Sequence, residues 1–267
     1  MPFEKERCGI MNNSILLVIE IAAILMYIVA TVLMAKSKYE KISNIVWSIA
    51  VLFNGIIVIN NWLVNGYVPF VSMYQVLTFL ALTFAPIYLF MKVMRDGAWM
   101  KGYFCVAAAF CMTGVCFMSG RGVWHFPPAL QSIWFVPHIL AYMIAYSLVV
   151  VAFIITVISF FKKEGDLNKA DLGVYNLAVA AYPFMTMGMF FGAIWADSVW
   201  GDFWSFDAKE NWSLVTWLMV VIYLHFRREE KLAKYSKIFI VLAFVGVIVT
   251  MLFVNMMGGS SSHTYSM

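Results

Sequence analysis

Long apolar runs separated by short polar segments set the pattern of this chain. Eight stand out, at 14–35, 42–59, 70–91, 102–118, 138–161, 174–195, 212–226 and 238–257. Several reach about 20 residues, the length a helix needs to cross the hydrocarbon core of a bilayer. Barrel strands would alternate apolar and polar positions, and these runs do not. The pattern therefore predicts an all-α, polytopic membrane helix bundle with about eight transmembrane helices. The first run is too long for a signal-peptide core and lacks a clear small-residue cleavage site, so it is expected to be a retained span. No Ser/Gly linker or soluble domain interrupts the runs and no internal repeat is evident. One integral membrane domain is expected over 1–267.

Composition agrees: 63% of the residues are hydrophobic and only 12% charged, about half the charge of a soluble domain. The placement of charge then orients the chain. The loops 36–41, 92–101, 162–169 and 227–237 hold 14 of the 18 Lys and Arg residues, leaving Lys5, Arg7, Arg121 and Lys209 for the other loops and tails. Short basic loops stay on the cytoplasmic side, which puts both termini outside, together with loops 119–137 and 197–211. The expected location is a bacterial cytoplasmic membrane, with the chemistry on its outer side. No basic patch suited to nucleic acid is present. Cys8, Cys105, Cys111 and Cys116 include no CxxC pair, and three of them lie in one apolar run, as small core residues do. Glu20 lies about two turns into the first span, near enough to reach the outer headgroups.

One outer segment breaks the apolar pattern. "WGDFWSFDAKENW", residues 200–212, sets Asp202, Asp207, Lys209 and Glu210 among tryptophans and phenylalanines. Trp200, Trp204, Asp207 and Asn211 follow the spacing i, i+4, i+7, i+11, so a helical segment would carry them on one stripe. Two indoles make a flat apolar wall, and the carboxylate and amide are polar handles beside it. The simpler reading is an interfacial aromatic belt, because tryptophan favours membrane interfaces. The histidines weigh on the other side. His125, His138 and His263 share the outer face with this segment, while His225 closes the seventh span at its cytoplasmic end in "IYLHFRR". A planar ligand with apolar faces, polar edges and two axial metal positions suits the set, and heme has these properties. Arg121 or Lys209 would then pair with a propionate.

The same segments carry a family resemblance. "WGDFWSFDAKENWSLVTWL" closely resembles the WWD signature of a heme-handling protein family. "LQSIWFVPHILAYMIAYS" resembles the segment bearing the first outer histidine in the CcsA branch of that family, and "IYLHFRR" and "SSSHTYS" resemble its remaining histidine segments. "GYVPFVSMYQ", residues 66–75, looks like a degenerate form of another. "DAKE" at 207–210 favours the CcsA over the CcmC branch. Phe206 and Ala208 depart from the tryptophan and proline common at those positions, and His125 has no counterpart.

The resemblance implies a System II cytochrome c synthase subunit. Such a protein binds heme b, presents it at the outer face, and promotes thioether attachment to the CxxCH motif of apocytochrome c. It implies Trp200, Trp204, Asp207, Asn211 and Trp212 as the heme platform and His138 and His263 as axial ligands. His225 lies 13 residues from Trp212, about 20 Å along a helix, so it cannot share that heme. It looks like a ligand for heme entering from the cytoplasmic side. Its missing opposite ligand implies a separate CcsB-type (ResB-like) membrane partner. The alternatives are a CcmC-like heme chaperone, a b-type electron-carrying subunit with histidine pairs inside the bundle, and a transporter for another solute.

Overall fold

The computed structural model describes residues 11–34, 36–118, 126–161 and 164–253. Regular structure among them is helical: α1 (Asn13–Met34), α2 (Glu40–Asn65), α3 (Met73–Met94), α4 (Lys101–Val115), α5 (Phe135–Ser159), α6 (Glu164–Trp200), α7 (Ala208–Phe226) and α8 (Ala233–Ile248). A π turn, Val249–Phe253, continues α8. Seven helical segments are long and apolar enough to cross a membrane. α7 is the one left out, because Lys209, Glu210 and Asn211 fill its first turn; its apolar part is the run 212–226.

Helices and apolar runs differ where polar residues point inward. α2 continues to Asn65, past the predicted end at 59, with Asn60, Asn61 and Asn65 buried in the bundle rather than facing lipid. It stops at Gly66, whose φ of 75° places it in the left-handed region and whose N–H donates to the Trp62 carbonyl, an end that glycine reaches without strain. α3 starts from a capping box between Ser72 and Gln75, which satisfies two amide groups that its first turn would leave unbonded. α6 begins at Glu164, ten residues before its apolar run, and carries Pro183 without breaking; α3 likewise carries Pro86.

The helices pack as two groups of four. α1 meets α2 and α4, and α3 meets α2 and α4; in the second group α5 meets α6 and α8, and α7 meets α6 and α8. The groups join where α5 packs on α3 and α4. Small residues such as Ala23, Ala30, Ala107, Ala145 and Ala181 are fully buried at these contacts, which lets apolar helices approach closely where hydrophobicity alone does not draw them together. Large apolar side chains such as Val18, Leu25, Val32, Leu52 and Val93 point outward, where lipid would meet them.

Glu20 corrects an expectation. It does not reach toward headgroups: it is 1% exposed, turned into the bundle, and accepts a hydrogen bond from the Tyr74 hydroxyl of α3. A buried carboxylate needs such a partner. At the opposite end of the bundle, Lys237 of α8 pairs with Asp171 of α6 at 2.7 Å and donates to the Ser159 hydroxyl of α5 at 3.3 Å.

Candidate functional site

A cavity of about 310 Å3 opens among the starts of α3, α5 and α7 and the ends of α6 and α8. This is the end of the bundle that carries the tryptophan-rich segment. The stretch before α5 contributes Pro127, Ala129 and Leu130, and Thr250 and Met251 close it from beyond α8.

α5 gives the cavity its polar line. His138, Tyr142 and Tyr146 are spaced four residues apart in "HILAYMIAY" and all three line the space. Their rings follow one another along the helix, with centroids 5.1 Å apart for His138 and Tyr142 and 5.0 Å for Tyr142 and Tyr146. His138 sits within the first turn of α5, which begins at Phe135 rather than at His138 itself. Its Nδ1 donates to the Gly188 carbonyl of α6 at 2.8 Å. That bond fixes the tautomer with the lone pair on Nε2, the arrangement found in metal-binding histidines whose other nitrogen is held by a backbone acceptor.

α6 makes room for this line with two glycines. A Cβ at Gly192 would lie 2.6 Å from both Cε1 and Nδ1 of His138, and one at Gly188 would lie 2.8 Å from the Tyr142 ring. Either addition must displace the ring it faces. The pair forms "GMFFG", a small-residue spacing suited to close helix contact. Trp195, one turn further along, is 3% exposed and lies 5.5 Å from the His138 ring. Its Nε1 donates to the Ala129 carbonyl at 2.9 Å, tying the segment before α5 onto α6.

The tryptophan-rich segment is not one helical stripe. α6 runs to Trp200, Gly201 turns the chain at φ 80°, and α7 starts only at Ala208. The reason is local. Asp207 is the N-cap of α7: its Oδ1 accepts from the Glu210 amide at 2.8 Å, while Glu210 Oε2 accepts from the Asp207 amide at 3.2 Å and the Ser205 amide at 2.9 Å. Aspartate favours this cap over a helix interior. Phe206 takes φ 57°, an unusual value for a residue with a side chain, and Asn211 Nδ2 donates to its carbonyl at 2.6 Å.

The predicted site residues therefore separate. His138 and Trp204 line the cavity. Trp200 packs edge-on against Trp195 at 5.1 Å, behind the wall. Asp207 and Asn211 shape the turn into α7. Trp212 is 38% exposed and is not part of the lining. His225 is exposed near the far end of α7, with Nδ1 donating to the Val221 carbonyl at 2.8 Å; twelve residues from Ser213, it stands about 18 Å from the cavity. His263, His125 and Arg121 lie outside the described residues.

Lys209 does line the cavity, with Glu210 and Ser213. It stands in the polar turn ahead of the run 212–226, where burial lowers its ammonium to about 7 against the opposing pull of the Asp207 carboxylate. Trp195, Tyr142 and Tyr146 were not singled out from sequence. The period of four from His138 was the available signal, but tyrosines in an apolar run read as core.

The geometry makes two substitutions separable. Asp207→Ala removes a cap and is expected to cost about 1 kcal/mol of local stability, read as faster proteolysis or amide exchange around 201–210. Trp204→Ala removes cavity wall, and is expected to lower bound ligand while that protection stays as in the parent protein.

Comparison with known proteins points the same way as the residues. The model of the family described as "Cytochrome C assembly protein" matches residues 70–261, a range that takes in every described residue lining the cavity. The chain is 27% identical over 236 residues to the "Cytochrome c biogenesis protein CcsA" of Trieres chinensis, covering 72% of this chain and 74% of that one. It is 26% identical over 267 residues to the protein of that name from Guillardia theta, covering 85% and 88%. The CcsA of Chlamydomonas reinhardtii is 39% identical over 110 residues, a match spanning 38% of this chain and 31% of that protein. By the breadth of the family match, this chain belongs to the cytochrome c assembly protein family.

Proposed function

We propose that this protein serves cytochrome c biogenesis by binding heme b in the cavity and promoting its attachment to apocytochrome c. The observation that carries the reading is His138: Gly188 holds its Nδ1, so Nε2 is the nitrogen with a lone pair, on the wall of a largely apolar cavity that also includes Trp195 and Trp204. A site at the small end of the range for ligand pockets encloses only part of a tetrapyrrole. The remaining edge would lie where a second protein can meet it.

Heme is the substrate here. Each thiol of the CxxCH motif adds across a vinyl C=C bond: sulfur bonds to one carbon, hydrogen to the other, and no electrons are gained or lost overall. The protein's share is to hold the ring still, since fixing thiol and vinyl together removes the entropy cost of their encounter. His263 is the proposed second axial ligand. It follows Phe253 by ten residues, and such a stretch spans up to about 33 Å, so reach is no obstacle. The CxxCH histidine must eventually take one axial position, and His263, in "GGSSSH", is the proposed ligand to leave.

His225 belongs to a different place. It faces out of the bundle, on the same helix as the exposed Val215 and Leu218. A second heme position there needs an opposing ligand from another chain, and a CcsB-type membrane subunit is the proposed source. Expressed alone, the protein is expected to mature no cytochrome c. Co-expression with such a subunit restores maturation, and His225→Ala in that pair lowers total heme while heme at His138 remains. Full maturation by this chain alone contradicts the two-subunit reading.

A further inference from the structure

Most of the cavity wall sits on the long helices or on the π turn that continues α8. Three stretches do not: Val71, Trp204 and the run that holds Pro127, Ala129 and Leu130. They are held differently. The Val71 amide donates to Gln75 Oε1 at 2.9 Å, beside the capping box of α3. The segment of Trp204 is pinned by Glu210, whose Oε2 accepts from the Ser205 and Asp207 amides and the Ser205 hydroxyl. Residues 126–131 are tied less. Apart from apolar packing, one hydrogen bond and one ring stack join them to other elements among the described residues. Trp195 Nε1 donates to the Ala129 carbonyl at 2.9 Å, and Phe126 stacks on Tyr67 with centroids 4.5 Å apart.

The run is stiff in itself. Pro127 and Pro128 fix their φ angles. The Leu130 and Gln131 amides donate to the Pro127 and Pro128 carbonyls at 3.0 Å, and Gln131 Nε2 donates to the Phe126 carbonyl at 3.3 Å. Movement of the run as one piece, about the turn at 132–134 that leads into α5, keeps all three bonds. Its place makes such movement matter. Trp195 touches both this run and the His138 ring, so the run is wall beside the imidazole. The cavity, at about 310 Å3, encloses only part of a tetrapyrrole, so wall must yield as the ring enters or leaves. Elements with few ties open at the least cost.

We propose that residues 126–131 form a strap that swings off the cavity to admit and release the tetrapyrrole, with the Trp195 indole N–H and the Tyr67 ring as its two latches. This rests on the reading of the cavity as a heme site. Tyr67 does not line the cavity, so it acts on the site only through the strap. Both latches are positioning residues: they set how often the site is open, while His138 holds the iron.

The test uses the full chain, purified in detergent with a co-expressed CcsB-type subunit and carrying His225→Ala so that one site is read. Trp195→Phe removes the N–H and keeps a ring against His138. Tyr67→Leu removes the stack at a residue outside the lining. Amide exchange at Leu130 and Gln131 is measured first, in the heme-free complex. Iron protoporphyrin IX is then added, and chased with an excess of a heme-scavenging apoprotein, following the Soret band. In each variant the two amides are expected to exchange about fivefold faster, while amides in the middle of α5 keep the parent rate. Association and dissociation of the porphyrin both rise about fivefold, the factor that one ordinary hydrogen bond or ring pair makes in an opening equilibrium. A residue that only lines the site moves the dissociation rate alone, as Trp204→Ala is expected to do. Unchanged exchange at Leu130 and Gln131 in both variants overturns the strap, and so does faster dissociation without faster association; the heme site survives either result. A parent complex that binds no porphyrin overturns the heme site and the strap's role together.

Discussion

His138→Gly is expected to abolish cytochrome c maturation, and added imidazole is expected to restore part of it. The effect is large because the described lining offers no second imidazole to take its place. His138 is the one histidine among the described lining residues, and its ring is held by a hydrogen bond from Nδ1 to the Gly188 carbonyl and by contacts with Tyr142 and Trp195. Glycine at 138 leaves the ring's own volume empty beside Gly192. Imidazole fits that volume and brings the same nitrogen. The measurement is heme-stained c-type cytochrome in cells carrying the variant, with and without imidazole, alongside the amount of inserted protein. Normal maturation by the variant contradicts the ligand assignment, and so does a loss that imidazole leaves unchanged while a lining variant such as Trp204→Ala responds to it.

The second large effect comes from a residue that carries no chemistry. Gly192→Ala places a methyl group 2.6 Å from two atoms of the His138 ring, closer than any real contact. The ring must move, and with it the bond to Gly188 and the direction of Nε2. Heme co-purified at this site is expected to fall about tenfold or more, as when a ligand is displaced by an ångström or so. A glycine pair of this kind also serves plain helix packing, and that role predicts a different outcome. If Gly192 mattered only for packing α6 on α5, the variant would insert poorly and imidazole would not help. If it seats His138, the protein inserts normally and imidazole recovers heme. Wild-type heme content in Gly192→Ala contradicts the close approach as a functional feature.

These residues also show what the sequence could and could not reveal. The eight helices were legible because lipid demands long apolar runs. His138 and Trp204 were legible because a histidine and a clustered tryptophan are rare against such a background. Lys209 stood out as the one basic residue in its loop. Asp207 was visible but misread: in a helical wheel it joins a stripe, whereas as an N-cap it ends one helix geometry and starts another. Tyr142, Tyr146 and Trp195 were hidden by the same apolar background that exposed the helices, since a tyrosine in a buried run looks like core until its ring is seen lining a cavity. Glu20 was misplaced because its partner, Tyr74, is 54 residues away, and no local pattern reports that. Gly188 and Gly192 matter through what they omit, which only the facing rings of α5 make visible.

The central claim is that this cavity holds heme through His138. It is tested most directly by the absorption spectrum of the purified complex in a His225→Ala background, with and without His138→Gly. The account predicts a low-spin heme with two histidine ligands in the first protein, and in the second either loss of heme or conversion to a spectrum with one histidine that added imidazole returns to low spin. A complex without heme in the His225→Ala background, or a low-spin spectrum unchanged by His138→Gly, would contradict it.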